Sequence, residues 1–375
     1  MIDSEIVVGT GFRIVVAKDD LAARLAVVAR GVSTRTAVLV LGGIQLRAEG
    51  SQLHLAATDM DLSLRASLEA QVSDEGSVVV PGRLLLDIAR SLPDGDVVIE
   101  HRPEEAIVSV TAGPSSYRLH TYSSEDFPRL PDVAATSMHA VDRDALVDTI
   151  ARVGRSASRD ESRPVLTGIL VRFEAGKIVM AATDSYRLAV KETPVAGDLP
   201  DLDAIIPARA LQELARIAAG DEVELGVQEN HVVFVADGVV LTTRRIDGQF
   251  PNYRQLLPEQ FEYELPIPRE ELADVVRRVS LMAQRNSPLR LRFAEGELTV
   301  SAITQDVGEA REALPAPFTG DTLEIGFNAE FLRDGLESIE SDTVKFKLIS
   351  PLRPAVLEGE ADDYVYLIMP IRLAG

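Results

Sequence analysis

The chain has 375 residues, 46% hydrophobic and 26% charged, with no cysteine and a formal net charge of -21. That length supports two or three domains with their own cores, and the missing thiols exclude a disulfide, a thiolate zinc site and a thiol nucleophile. No apolar run approaches the roughly 18 residues of a membrane span, and the N-terminus has no basic region followed by an apolar stretch, so the reading is a cytoplasmic protein with no membrane partner.

In chain order, a helix is predicted over about 20–30, then a strand, Leu53-His-Leu-Ala-Ala-Thr-Asp59, that runs into a polar Thr-Asp turn. Val80-Pro-Gly-Arg-Leu-Leu85 opens a helix over 82–91, and a linker lies near Pro128 to Ser137. Asp142 is placed as the N-cap of a helix over 142–159 with the apolar stripe Leu146, Ile150 and Val153. The chain then repeats itself. Ile178-Val-Met-Ala-Ala-Thr-Asp184 returns the first strand and turn after 125 residues, and Ile206-Pro-Ala-Arg-Ala-Leu211 opens a helix over 208–217 after 126. Gln249-Phe-Pro-Asn-Tyr253 partly matches Asp126-Phe-Pro-Arg-Leu130 after 123 residues. Val223 to Val227 alternates like a half-buried strand. A second linker, Pro258 to Pro268, precedes a helix over 269–285 carrying Leu272, Val276 and Val279. A fainter third copy runs from Leu298 through Ala302 to Asp306, then from Gly326 into a helix over 328–339 and the strand Val344 to Leu348.

Three copies in one order imply three domains, 1–134, 135–260 and 261–375, of α+β class, with two helices per repeat on one side of antiparallel sheets. The six helices carry 15 arginines against 12 acidic residues, a net +3, which leaves -24 for the rest of the chain. If two such chains close head to tail, twelve helices about 10 Å apart leave an opening of roughly 28 Å once a helix diameter of about 10 Å is removed. A duplex roughly 20 Å across passes through it. A weakly basic lining attracts phosphates while the acidic exterior repels other DNA.

Over essentially its whole length the chain resembles the bacterial sliding clamps, the β subunits of the replicative polymerase. The resemblance rests on Ala182 to Val190, on Asp247-Gly-Gln-Phe-Pro-Asn-Tyr-Arg254, on Ile325-Gly-Phe-Asn328 and on the run Tyr364 to Leu373. It implies a homodimeric ring, two βαβββ units per domain with sheets outside and helices lining the ring, and no catalysis, cofactor or metal. It also implies partners: encircled duplex DNA, the replicative polymerase, the clamp loader and other proteins with clamp-binding peptides, in a bacterial cytoplasm at the nucleoid. The family's peptide cleft maps onto Arg163, Leu166, Thr183, Ser185, Tyr186, Arg187, Leu188, Pro251, Leu256, Asn328, Phe331, Ile368, Met369, Pro370, Ile371 and Arg372. DNA contacts map onto Arg35, Arg159 and Arg163, with Arg83 and Arg209 on helices, and the dimer contact onto Tyr117, Leu119, Leu281 and Met282. The family's usual Gly-His in the Thr-Asp turn is here Ser185-Tyr186, and the methionine usual after the terminal proline is Ile371.

Enzyme motifs are missing. The five histidines have no pair at helical ligand spacing, and the chain lacks a Gly-x-Ser-x-Gly turn, a phosphate loop and GxGxxG. Asp59 and Asp184 fall at matching turns of different repeats, where carboxylates commonly stabilise the turn. The alternatives are a peptide-binding scaffold without DNA and a hydrolase built on Asp184 with Tyr186 and Arg187.

Overall fold

The computed structural model describes residues 11–33, 37–133, 137–196, 201–283, 287–305, 307–360 and 363–373. The first repeat contains β1 (Arg13–Ala17), α1 (Lys18–Val28), β2 (Gly43–Glu49), β3 (Gln52–Thr58), β4 (Leu62–Glu69) and a short extra strand β5 (Gln71–Asp74). It continues with β6 (Gly76–Pro81), α2 (Gly82–Ser91), β7 (Asp96–Arg102), β8 (Ile107–Ala112) and β9 (Ser115–His120). The second runs through β10 (Met138–Asp142), α3 (Arg143–Gly154), a single helical turn α4 (Pro164–Thr167), β11 (Gly168–Glu174), β12 (Lys177–Thr183) and β13 (Arg187–Pro194). After these come β14 (Asp203–Pro207), α5 (Ala208–Ile217), β15 (Glu222–Val227), β16 (His231–Ala236) and β17 (Val239–Arg244). The third holds β18 (Tyr263–Pro268), α6 (Arg269–Val279), β19 (Leu289–Ala294), β20 (Glu297–Thr304) and β21 (Gly308–Pro315). It ends with β22 (Leu323–Phe327), α7 (Ala329–Glu337), β23 (Thr343–Leu348), β24 (Ala355–Glu358) and β25 (Tyr364–Ile368). Each repeat is thus a clamp domain of two βαβββ halves.

Two compact units result, residues 1–143 with 216–245, and 144–215 with 246–375. The first holds a five-stranded sheet, β5-β1-β7-β8-β9, and an eight-stranded one, β10-β15-β16-β17-β4-β3-β2-β6. In the second, an eight-stranded sheet runs β14-β11-β12-β13-β25-β24-β23-β18, beside a four-stranded β21-β20-β19-β22. Both eight-stranded sheets cross a repeat boundary through one antiparallel strand pair. β4 meets β17 with Leu62 opposite Thr243, and β13 meets β25 with Arg187 opposite Ile368. β9 and β21, the counterparts of these strands, instead end their own sheets.

The apolar stripes expected from the sequence are core. Leu146, Ile150 and Val153 on α3, and Leu272, Val276 and Val279 on α6, are all buried. Three expectations need correction. α3 stops at Gly154, five residues before its expected end, and the chain tightens there into a turn with Ser156 N donating to Val153 O at 3.0 Å. α6 stops at Val279, where the Ser280 hydroxyl bonds back to Val276 O at 2.5 Å. Half of the expected linker at Pro258–Pro268 is the strand β18, which tolerates Pro266 and Pro268 because it pairs only with β23 and lies at the sheet edge. Among the described residues no helix is long and apolar enough to cross a membrane.

Candidate partner-binding site

The site begins at the turn between β12 and β13. Asp184 Oδ1 accepts from the backbone N–H groups of Tyr186 (2.9 Å) and Arg187 (3.0 Å). Thr183 Oγ1 donates to Arg187 O at 2.7 Å and accepts from Ser185 N at 3.2 Å. The first repeat builds the same knot. Asp59 Oδ1 accepts from Asp61 N and Leu62 N, and Thr58 Oγ1 donates to Leu62 O and accepts from Met60 N. The residues at the knot's third position, Ser185 and Met60, adopt φ of 81° and 84°, left-handed conformations normally left to glycine or asparagine. The Asp-Thr pair recurs because this tight reversal needs a carboxylate and a hydroxyl to take up its backbone donors and acceptors. Asp184 Oδ2 accepts from Arg187 Nε at 3.1 Å. Both carboxylate oxygens are therefore occupied by structure, the work of a turn residue and not of a hydrolase base.

Across the β13–β25 ladder the chain continues past Ile368. Met369 N donates to Tyr186 O at 2.8 Å, and Ile371 N then donates to Gly326 O on β22 at 2.7 Å. The segment after β25 therefore leaves one sheet and joins the other. Gly326 permits this close approach: a Cβ there would lie 2.6 Å from Leu373 Cδ2 and 2.9 Å from Ile371 O.

Of the residues assigned to the cleft, Leu166, Thr183, Arg187, Leu188 and Ile368 are buried, and Asn328, Phe331 and Pro370 are half-buried. Arg163, Ser185, Tyr186, Pro251, Leu256, Met369, Ile371 and Arg372 are exposed. Leu188 belongs to a cluster with Leu170, Val179, Ala181, Val190, Tyr253, Val356 and Leu367, against which Phe250, Leu257 and Phe261 pack. This floor is apolar and buried. Tyr186 is 61% exposed and Met369 40% exposed, and the two are joined by a backbone hydrogen bond just beyond the paired ends of β13 and β25, large apolar groups with no cover. Arg163 Nη1 donates to Ser185 Oγ at 3.0 Å and its Nε to Asp160 Oδ2 at 3.1 Å. The Ser162 hydroxyl and N–H, with Arg163, hold the Asp160 carboxyl below the usual range.

Beneath the turn lies a buried ionic chain that sequence reasoning missed. The Arg187 guanidinium is 6% exposed, donates to Asp334 Oδ2 at 2.5 Å and lies over the Phe331 ring at 4.3 Å. Burial alone lowers its pKa, but Tyr366, Asp334 and Asp184 outweigh burial and the net shift is upward. Asp334 is also 3.8 Å from Arg155, which pairs with Glu337 at 2.6 Å. Tyr366 donates its hydroxyl to Phe331 O at 2.7 Å, and Arg152 lies over the Tyr364 ring at 4.6 Å while donating to Ser338 O at 2.7 Å. Burial raises both phenols above their ordinary range. The Asn328 side chain accepts from Phe331 N at 3.1 Å and caps α7. A run of arginines and tyrosines within one stretch gives no hint of such partners, which come from positions 147 residues apart.

Arg83 on α2 and Arg209 on α5 are exposed, as is Arg159, which lies beyond the end of α3. Arg35 lies outside the described residues. The buried Arg152 shows that a count of helix arginines overstates the positive charge that solvent meets. Tyr117 and Leu281 are exposed and Met282 is half-buried, whereas Leu119 is turned into the core at 4% exposure.

Three family models, for the N-terminal, central and C-terminal domains of the DNA polymerase III beta subunit, match residues 12–131, 140–252 and 254–372. The beta sliding clamp of Streptomyces coelicolor is 37% identical over 97% of this chain and 100% of its own length. That of Synechococcus elongatus is 34% identical over 96% and 99%. A Caulobacter crescentus beta sliding clamp structure superposes with a TM-score of 0.92 at 29% identity, covering 97% of this chain and 100% of that one. A Pseudomonas aeruginosa sliding clamp structure reaches a TM-score of 0.89 at 28% identity, with the same coverage. The chain belongs to the DNA polymerase III beta subunit family, the beta sliding clamps, processivity factors of DNA replication.

Proposed function

We propose that this chain, with domains 1–134, 135–260 and 261–375, forms a head-to-tail dimeric ring that encircles duplex DNA without reading its sequence. In the cytoplasm, at the nucleoid, it tethers the replicative polymerase, the clamp loader and other peptide-bearing proteins at the cleft around Tyr186 and Met369, and it is not an enzyme. The pattern of sheet edges carries this reading. β4 and β13 each receive a strand from the following repeat, while among the described residues β21, third in that series, has none and β9 has no strand to join. One unsatisfied edge of each kind on one chain is a heterologous pair of surfaces, which a second copy closes into a ring.

The cleft reading rests on the exposed Tyr186, Leu256, Met369 and Ile371 above a buried apolar floor. Relatives in this family hold ligands. The P. aeruginosa clamp is bound to griselimycin, and the C. crescentus clamp carries polyethylene glycol at its beta-motif tethering region. Methionine suits a groove that accepts several sequences. Exposed Arg83, Arg159 and Arg209 supply contacts to phosphate, but too few to hold DNA tightly.

Retention is thus topological. Protein loaded on closed circular DNA is expected to survive a salt step that strips ordinary DNA binders, whose affinity falls about 1,000-fold or more for six to ten phosphate contacts, and to leave when the circle is cut. Equal retention on circular and linear DNA would reject encirclement and leave the peptide scaffold as the better reading.

A further inference from the structure

The turn knot occurs in both of the first two repeats, and so does the surface around it, with different chemistry. Ser33 N donates to Leu41 O and Leu41 N to Val38 O, as Ser158 N donates to Leu166 O and Leu166 N to Arg163 O. Val38 therefore holds the place of Arg163, and Met60 that of Ser185. Arg244 N donates to Asp61 O at 2.9 Å, as Met369 N does to Tyr186 O. The strand pair β4–β17 is thus the counterpart of β13–β25, the pair beneath the partner cleft.

Directly opposed residues share a sheet face. Under the cleft the successive rungs are Tyr186 with Met369, Leu188 with Leu367 and Val190 with Val365. On β4–β17 they are Asp61 with Arg244, Ser63 with Thr242 and Arg65 with Val240. An apolar floor has become a polar one. The lip has changed the other way: in the places of the bonded pair Arg163 and Ser185, Val38 is 54% and Met60 61% exposed, and Leu39 is 71% exposed.

The polar floor carries donors with nothing to bond. Arg65 donates from Nη2 to Pro131 O, but its Nε is buried without an acceptor among the described residues. Thr242 Oγ1, on the next rung, is buried without a partner among them. Arg244 is exposed and has no ion-pair partner among the described residues, although Asp61 stands opposite. Buried polar groups in folded proteins are nearly always bonded. Two orphan donors and an unpaired guanidinium on one face match a carboxylate.

We infer that the β4–β17 face is a second partner groove, which takes an extended peptide carrying a large apolar residue two positions from an acidic one. The apolar side chain lies against Val38, Leu39 and Met60, and the carboxylate reaches between Arg244 and Arg65 Nε. Residues two apart on an extended chain point to the same side. The first cleft offers no such match, because its floor is Leu188 and Leu367 and its Arg163 is held by Asp160 and Ser185. The two grooves therefore select different segments. Only the equivalence of the two surfaces is taken from the cleft reading, and the ring reading is not used.

The probes are two pools of nine-residue peptides with random flanks, one with Leu-Ala-Glu fixed at its centre and one with Leu-Ala-Gln. The Glu pool is expected to slow amide exchange at residues 59–62 and 243–245 of the full chain, and the Gln pool to need about tenfold more peptide for the same effect. Arg244→Glu is expected to weaken the response to the Glu pool about tenfold, while a clamp-binding peptide still protects Tyr186 and Met369. Equal responses to the two pools, protection confined to Tyr186 and Met369, no protection at all, or an Arg244→Glu chain that responds like the parent each overturn the second groove. A clamp-binding peptide that protects neither Tyr186 nor Met369 overturns the first cleft instead.

Discussion

Arg187 and Phe331 meet face to face, the guanidinium 4.3 Å from the ring centre, although one opens β13 in the second repeat and the other lies in α7 of the third. The same guanidinium is bonded to Asp184 and Asp334, so a single side chain ties the turn to the helix. Replacing Arg187 by Ala takes from Asp334 its nearest cation and leaves it only the longer contact to Arg155 at 3.8 Å. We expect a loss of about 3–5 kcal/mol, as for other broken buried pairs, measured as a lowered denaturant midpoint. Arg187→Met combined with Asp334→Leu is expected to recover part of it. An Arg187→Ala protein as stable as the parent would show that the ionic chain contributes nothing.

Tyr364 and Tyr366 give the stability an alkaline limit. Burial holds both phenols above the ordinary value of about 10. The unfolded chain therefore ionises first, and the contribution of these groups is complete below pH 10 and lost as pH climbs beyond it. Melting temperature is expected to fall more steeply above pH 10 in the parent than in the double variant Tyr364→Phe and Tyr366→Phe. Parallel profiles would remove the phenols from the account.

The cleft assignment separates binding from folding at Met369. At 40% exposure this side chain makes little core, so Met369→Ala is expected to shift the melting curve by less than about 1 kcal/mol. The affinity of a labelled clamp-binding peptide is expected to drop by about 1–3 kcal/mol, the range of one hot spot. Unchanged affinity with a lowered melting point would place Met369 in the core instead.

Gly326 tests the stitch between the two sheets. An alanine there collides with Leu373 and the Ile371 carbonyl, and overpacking of this kind costs about 1–3 kcal/mol. The Ile371 amide, now bonded to Gly326 O, is expected to exchange with solvent faster in Gly326→Ala, and peptide affinity to fall with it. Unaltered protection at Ile371 would mean that the tail is held from elsewhere.

What the sequence disclosed was local or periodic. Thr183-Asp184 and Thr58-Asp59 announce their turns because the side chains bond backbone groups within four residues. Leu272, Val276 and Val279 announce α6 because burial follows the helical period. The residues that escaped notice are fixed by distant partners. Arg152 looks like any surface arginine until Tyr364 and Ser338 enclose it, and nothing local tells that Leu119 is buried while Tyr117, two residues away on the same face of β9, is exposed. Pro266 and Pro268 read as a linker, since the sequence does not state that β18 needs hydrogen bonds on one side only.

The pairing of β13 with β25 also decides how the molecule comes apart. Five residues of β13 find their backbone partners in the last strand of the chain, so the second repeat reaches its full set of hydrogen bonds only after the third is in place. Removing residues from 261 onward would bare β13, an apolar strand whose own Leu188 and Val190 are core, and an open edge of that kind invites self-association. A fragment of the first two repeats is therefore expected to aggregate.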